Sequence, residues 1–298
     1  MVGAFLSVNV QAIIDAILIG ISIGSVWLVA ALGLTIIYGT VGVINMAHGE
    51  FIMLGAYSTY ILEQSLHVPF LLCLPLSFII VALIGLAIER LLIRYLYNRP
   101  LDTLLATWGV SLVLVQGARL IFGSDPLYLA VPSILNTNVR IGFFNIAMFR
   151  LFLLLVTILV TGGTWLFMRR TRFGMQIRAV TQNRDMAASF GVNPDRIYAG
   201  AFALGAGLAG LAGAMFGVLD IVLPTMGSSY VVRSFLVVVS GGGSLAGSIV
   251  SSAAAGELHS IFAYVTNDTL ALVFIFTLIV VFLRFRPQGL FAPATPRR

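Results

Sequence analysis

Seven stretches of this chain are apolar for long enough to cross a lipid bilayer, and that limits what it can fold into. They fall near residues 12–32, 50–66, 69–92, 102–122, 147–168, 197–219 and 268–285. An eighth apolar stretch, 233–265, is interrupted by Gly241, Gly242 and Gly243. A helix needs roughly 20 apolar residues to span the hydrocarbon core. Charged residues make up 9% of the 298 positions, where a soluble domain carries about 25%. A water-soluble fold cannot bury this much apolar side chain, whereas a bilayer accepts it. The expected fold is all-α: a polytopic membrane helical bundle of about eight spanning segments with broken or re-entrant pieces, forming one transmembrane domain over 1–298.

The net charge is +6, and all 17 basic residues are Arg. No basic aromatic platform accompanies them, so nucleic acid is not an expected partner. Basic loops on one side of a membrane explain the charge. The absence of Lys excludes a phosphate-binding P-loop and Schiff-base chemistry. Any ATP-driven work must therefore come from a partner. The single cysteine, Cys73, lies in an apolar run and reads as a small buried hydrophobe. No metal, flavin or nicotinamide motif is present, and the N-terminus lacks the basic stretch of a cleaved signal peptide.

Arg placement orients the spans. Arg94 and Arg99 follow the third, Arg169 to Arg196 separate the fifth from the sixth, and Arg284, Arg286, Arg297 and Arg298 follow the last. The positive-inside rule puts these regions in the cytoplasm and the N-terminus outside. The C-terminus then falls inside only if 233–265 enters the membrane and returns, and 33 residues are few for two full spans. A broken or re-entrant pair is expected there.

A similar interruption is expected at Thr35 to Glu50, which holds Gly39, Gly42 and Gly49 with the polar Asn45, His48 and Glu50. Irregular backbone survives at membrane depth only where protein or water satisfies it. Interrupted segments in corresponding places of two halves point to a transport site; the halves are taken as 12–122 and 147–285. Asn45, His48, Glu50, Ser244, Ser248 and Glu257 are the candidate translocation-path residues. Each pair of ionisable groups, His48 with Glu50 and Glu257 with His259, reads equally as closing a helix end. Asp220 and Arg233 bracket an outer loop and are taken as structural or mouth residues, Asp102 as an N-cap, and the Gly- and Ala-rich run 200–213 as close helix packing. The 123–146 segment is expected outside.

The 169–196 loop is long and basic, with a helix expected from Met175 to Phe190. Its apolar face is Ile177, Val180, Ala187 and Phe190, Gly191 is its C-cap, and Pro194 follows. Such a helix suits lipid headgroups, a partner groove or a solvated connection. The missing ATP site favours a partner.

The stretch GVINMAHGEFIMLGAY (42–57) resembles the signature of the permeases of the branched-chain amino acid uptake family of ABC transporters. GMQIRAVTQNRDMAASFGV (174–192) is similar to their ATPase-docking loop, and RPQGLF (286–291) to their C-terminal ending. Within the family, residues 100–123 and 177–188 look most like the urea-uptake branch. The family's Gly-Gly-x-Gly-x-Leu arrangement is one residue shorter here, at Gly241 to Leu245. The resemblance implies a bacterial inner-membrane importer. Its other parts would be a second permease subunit, two cytoplasmic ATPases that use ATP and Mg, and an extracytoplasmic binding protein; this chain itself binds no cofactor. The resemblance marks Gly174, Arg178, Ala179, Asn183, Asp185, Ala187 and Gly191 as the ATPase coupling loop. The expected solute is urea, with a branched-chain amino acid or short-chain amide as the alternative. A stand-alone channel or carrier is the alternative of another class.

Overall fold

The computed structural model describes residues 10–42, 44–97, 99–141 and 144–291. These form helices α1 (Val10–Val41), α2 (His48–Gln64), α3 (Phe70–Leu91), α4 (Pro100–Phe122) and α5 (Met148–Arg170). They continue as α6 (Arg172–Gln182), α7 (Arg184–Ser189), α8 (Pro194–Leu219), α9 (Met226–Ser240), α10 (Leu245–Val265) and α11 (Asp268–Phe285). A 3-10 turn, Ile93–Leu96, joins α3 to α4, and a small hairpin of β1 (Asn138–Ile141) and β2 (Phe144–Ala147) precedes α5. The result is a polytopic helical membrane bundle, with that hairpin as the non-helical addition inside the 123–146 segment.

Among the described residues, six helices are long and apolar enough to cross a membrane: α1, α3, α4, α5, α8 and α11. The short ones, α2 and α9, have 17 and 15 residues. Two of the six form the centre. In their most apolar windows α1 is 72% buried and α8 78%, against 11% for α4 and 17% for α5 and α11. The outer helices turn Leu105, Leu112, Leu155, Ile158 and Val280 outward, as a lipid-facing surface requires.

Small residues explain why α1 and α8 occupy the centre. A Cβ at Gly205 would collide with the Gly33 carbonyl and Ile37, one at Gly213 with the Ile52 carbonyl, and one at Gly55 with the Gly210 backbone. Lipid tails are as apolar as Leu, so helix association in a bilayer depends on such close approach. Hydroxyl groups add cross-links. α10 runs antiparallel to α1, with Ser260 Oγ donating to the Ala16 carbonyl at 2.5 Å and the Thr35 and Ser248 hydroxyls 2.9 Å apart. α3 runs antiparallel to α8, with Gly85 facing Phe202 and Ala206, and Ser77 and Val81 facing Gly210.

One plan of elements occurs twice: a long central helix, a six-residue connector, a short helix and two further helices. It is α1, 42–47, α2, α3 and α4, and again α8, 220–225, α9, α10 and α11. The turn joining α3 to α4, the α6–α7 segment and the end of α11 share one end of the bundle, called the basic end here. The β-hairpin and the 220–225 connector share the other, where the Leu127–Val222 bridge ties the segment after α4 to that connector.

Several boundaries differ from the sequence expectation. The first break does not begin at Thr35: α1 continues to Val41, and Thr35 Oγ1 bonds back to the Ala31 carbonyl at 2.8 Å and lies 2.9 Å from the Ser248 hydroxyl. The helix stops at Gly42, whose φ of +72° favours glycine. The returning segment starts at Met226 rather than 233, and its break is the turn at 241–244, with Gly242 and Gly243 at positive φ. Asp102 is not the N-cap of α4. Arg99 holds that position because Pro100 starts the helix, and Asp102 lies in the first turn, 3.9 Å from Arg99. Arg297 and Arg298 lie outside the described residues.

Gly213→Ala places a methyl group against a backbone carbonyl that no rotamer change can move. It should lower the thermal midpoint in detergent, with a cost of about 1–3 kcal/mol. Gly163 on α5 has open space around it, so Gly163→Ala should be neutral or stabilising by about 0.4–1 kcal/mol. Thermal unfolding of the two purified variants checks this ordering.

Candidate functional site: two interrupted helices and a basic loop

The first turn of α2 lies deep in the bundle. His48 Nε2 meets the Ala30 carbonyl at 3.0 Å, and Ala30 is eleven residues before the end of α1. At about 1.5 Å per residue that is roughly 16 Å from the basic end. α4 gives an independent measure. Thr107 Oγ1 accepts from the Met46 N–H at 3.1 Å, and Ser111 Oγ donates to Glu50 Oε1 at 2.9 Å. These residues lie seven and eleven positions into α4, or about 10–16 Å. The chain therefore leaves the end of α1 at Gly42, and residues 44–47 lie back inside the bundle before α2 starts.

The three polar residues here are all buried, and each keeps one unmatched atom. Asn45 Oδ1 accepts from Ala47 N at 3.0 Å, while its Nδ2 has no partner. A carbonyl can only accept, so His48 carries its proton on Nε2, and Nδ1 is left as a bare acceptor. Glu50 Oε2 has no hydrogen-bond partner and faces Gly227, in the first turn of α9. Gly49 and Gly227 press together backbone to backbone. Two helix N-termini therefore meet at this depth: α2 entered from the basic end and α9 from the hairpin end. The positive ends of both dipoles adjoin the Glu50 carboxylate.

The other sequence-selected path residues lie elsewhere. Ser244 is the N-cap of α10, accepting from Gly247 N at 3.0 Å. Ser248 is fully buried against Thr35. Glu257 lies beside Gly20, ten residues from Ala30 along α1, or about 15 Å. The structure groups Asn45, His48 and Glu50 at one break and Ser244 and Ser248 at the other, with Glu257 apart from both. Thr107, Ser111 and Gly227 belong to the first site, yet nothing in their local sequence marks them.

Arg233 does not bracket an outer loop: it lies well inside α9. Its guanidinium is over the rings of Trp27 at 5.6 Å and Tyr230 at 5.1 Å. Trp27 is three residues from Ala30, so Arg233 lies within about one turn of the level of the first break. The helix begins at Met226, seven residues before the apolar run at 233.

The basic loop folds as two helices, not one. Asn183 adopts extended backbone (φ −157°) and accepts from Met186 N at 2.9 Å, capping α7 and ending α6. Thr171 caps α6 through the Gly174 N–H, and Gly174 has no room for a Cβ against the Met168 carbonyl. Arg178 also donates to that carbonyl. Ile177, Val180 and Ala187 are buried against Leu28, Leu32 and Ile36 of α1 and against Ile197 and Leu208 of α8. Phe190 does not join them. It is 83% exposed, beyond the end of α7, where Gly191 turns the chain with φ +84°. Met175 and Met186 are also exposed, and Ala179 and Asp185 lie on the same two helices. A cleft of about 260 Å³ separates Ile177, Arg178 and Thr181 of α6 from Gly39, Gly243 and Leu245. The loop is thereby anchored on both central helices and adjoins the second break.

Comparisons with known proteins agree with this architecture. A family model described as branched-chain amino acid transport system, permease component, matches residues 16–283. The chain is 31% identical over 287 residues to the high-affinity branched-chain amino acid transport system permease protein BraD of Pseudomonas aeruginosa, covering 91% of this chain and 93% of that protein. It is 28% identical over 287 residues to the corresponding protein LivH of Escherichia coli K12, covering 91% and 92%. A probable LivH of Methanocaldococcus jannaschii is 28% identical over 240 residues. No solved structure matches. These relatives are described as branched-chain amino acid permeases, which supports that alternative ahead of the urea expectation.

Thr107→Val should leave the Met46 N–H without a partner at membrane depth. The expected cost is about 1–3 kcal/mol, read as a lower thermal midpoint in detergent, with Thr107→Ser close to the parent.

Proposed function

We propose that this chain, which belongs to the branched-chain amino acid transport system permease component family, is a membrane subunit of an ATP-driven importer for branched-chain amino acids. The observation that carries the reading is the family match over nearly the whole chain, together with relatives that share its full length. The importer contains a second permease subunit, two cytoplasmic ATPases that use ATP and Mg, and an extracytoplasmic binding protein. Arg placement supports an inner-membrane topology with the N-terminus outside and the basic end in the cytoplasm.

The ATPase takes hold at α6–α7. Met175, Met186 and Phe190 offer it an apolar outer face. The buried side of the loop locks onto α1 and α8, so a push on α6–α7 reaches both central helices as one body. The cleft beside Gly243 gives α6 room to move toward the second break. Asn45, His48 and Glu50 supply polar groups along the path at the first break, and the repeated order of elements supports an internal duplication of α1–α4 and α8–α11. The alternation of access is a rocking of one block against the other.

In proteoliposomes holding the complete importer, leucine should accumulate with ATP hydrolysis and urea should not, while this chain alone should move neither. Urea accumulation would overturn the substrate. Transport by the lone chain without ATP would overturn the subunit role.

Met186→Glu combined with Phe190→Glu should reduce co-purification of the ATPase at least tenfold. The side chains are exposed, so folding is spared. Undiminished association would remove the docking role of this face.

A further inference from the structure

Arg233 is a cation inside α9 at membrane depth, and among the described residues no carboxylate lies within 4.0 Å of its guanidinium. A charged side chain at this depth is costly and marks a site by default, with its partner to be named. The rings of Trp27 and Tyr230 satisfy part of that demand through their π faces. They hold the guanidinium in place but do not use up its five N–H donors, which are set out in a fork that fits a carboxylate. Asp220, the acidic residue nearest in this network, is engaged: its Oδ2 accepts from the Tyr230 hydroxyl at 2.7 Å and its Oδ1 from the Ile221 N–H at 2.8 Å. Toward the hairpin end lies a pocket of about 330 Å³, lined by Ile19, Ile23, Ala263, His259 and Asp268 among others. Arg233 does not line this pocket; its wall residue His259 meets the Trp27 ring edge-on at 5.4 Å, and Trp27 in turn lies under the guanidinium. His259 Nε2 and Asp268 Oδ1 are 3.1 Å apart, and no ion pair among the described residues includes Arg233.

We propose that Arg233 is the carboxylate-binding group for the transported α-amino acid, held ready by Trp27 and Tyr230 within about one helical turn of the level of the first break. This rests on the amino-acid reading of the importer. The solute comes down from the hairpin end past Ile19 and Ile23, its carboxylate replaces the missing counter-ion, and its aliphatic side chain remains against apolar walls. A neutral solute such as urea brings no anion and gains nothing from this group.

The test uses the complete importer in proteoliposomes and reads leucine transported per ATP hydrolysed. Damage to folding or assembly lowers uptake and hydrolysis together, whereas loss of the carboxylate subsite lowers their ratio. Arg233→Gln should reduce the ratio at least tenfold, with binding-protein-stimulated hydrolysis retained. Arg233→Lys, which keeps the charge without the fork, should retain more transport than Gln and raise the half-saturating leucine concentration at least threefold. If the parent importer moves no leucine, the amino-acid reading falls and this inference with it. If the parent moves leucine and Arg233→Gln stays within twofold of it, the subsite alone is overturned. If Arg233→Gln does not assemble, Arg233→Lys decides, and a half-saturating concentration unchanged from the parent overturns the proposal.

Discussion

The structure depends on one constraint: backbone that leaves its helix at membrane depth must find hydrogen-bond partners in the protein. The 42–47 connector meets it with borrowed side chains. Thr107 of α4 takes the Met46 N–H, Asn45 takes the Ala47 N–H, and the Asn45 carbonyl takes the His48 N–H. Each bond is local or reaches a neighbouring helix, so the break persists only while α1 and α4 stand where they do. At the other break, Ser244 caps α10 and the Ser240 carbonyl accepts from the Leu290 N–H, so the tail after α11 closes the 241–244 turn.

That satisfaction requires close packing, and glycine provides it. α1 and α8 can both be central because Gly33, Gly205, Gly210 and Gly213 bring backbone against backbone. The same economy lets Gly49 touch Gly227, which brings the two short helices tip to tip. Rigidity at the centre has a functional consequence. In the proposed coupling, a force at α6–α7 would pass to α1 and α8, which share its buried cluster, and the glycine turns at 42 and 242–243 would be the hinges.

The spans were legible in the sequence because apolar length is a local property. The break boundaries were not. Thr35 to Val41 looks broken by Gly39, yet the helix runs on through it, with Thr35 bonded back to its own preceding turn and across to Ser248. Asn183 looks acceptable inside a helix, but its side chain caps α7 better than it fills α6, so one expected helix became two and Phe190 turned outward. Of the six path candidates, Asn45, His48 and Glu50 stand out in the sequence because ionisable and amide groups are rare in such a chain, and the structure places all three at the first break. Thr107 and Ser111 were invisible, since a hydroxyl in a spanning helix usually bonds to its own preceding turn. Ser244 was noticed for the right location, where its geometry is that of a helix cap. Arg233 was noticed and misplaced, because the start of α9 is rich in Gly and Ser and reads as loop.

The central claim is that the two connectors reach the middle of the bundle from opposite faces of the membrane. It is tested most directly by single-cysteine labelling in a Cys73→Ser background, with Met46→Cys and Ser228→Cys exposed in turn to a membrane-impermeant maleimide in sealed vesicles of either orientation. The expected result is that the two positions label from opposite sides. Labelling of both from the same side would contradict the account.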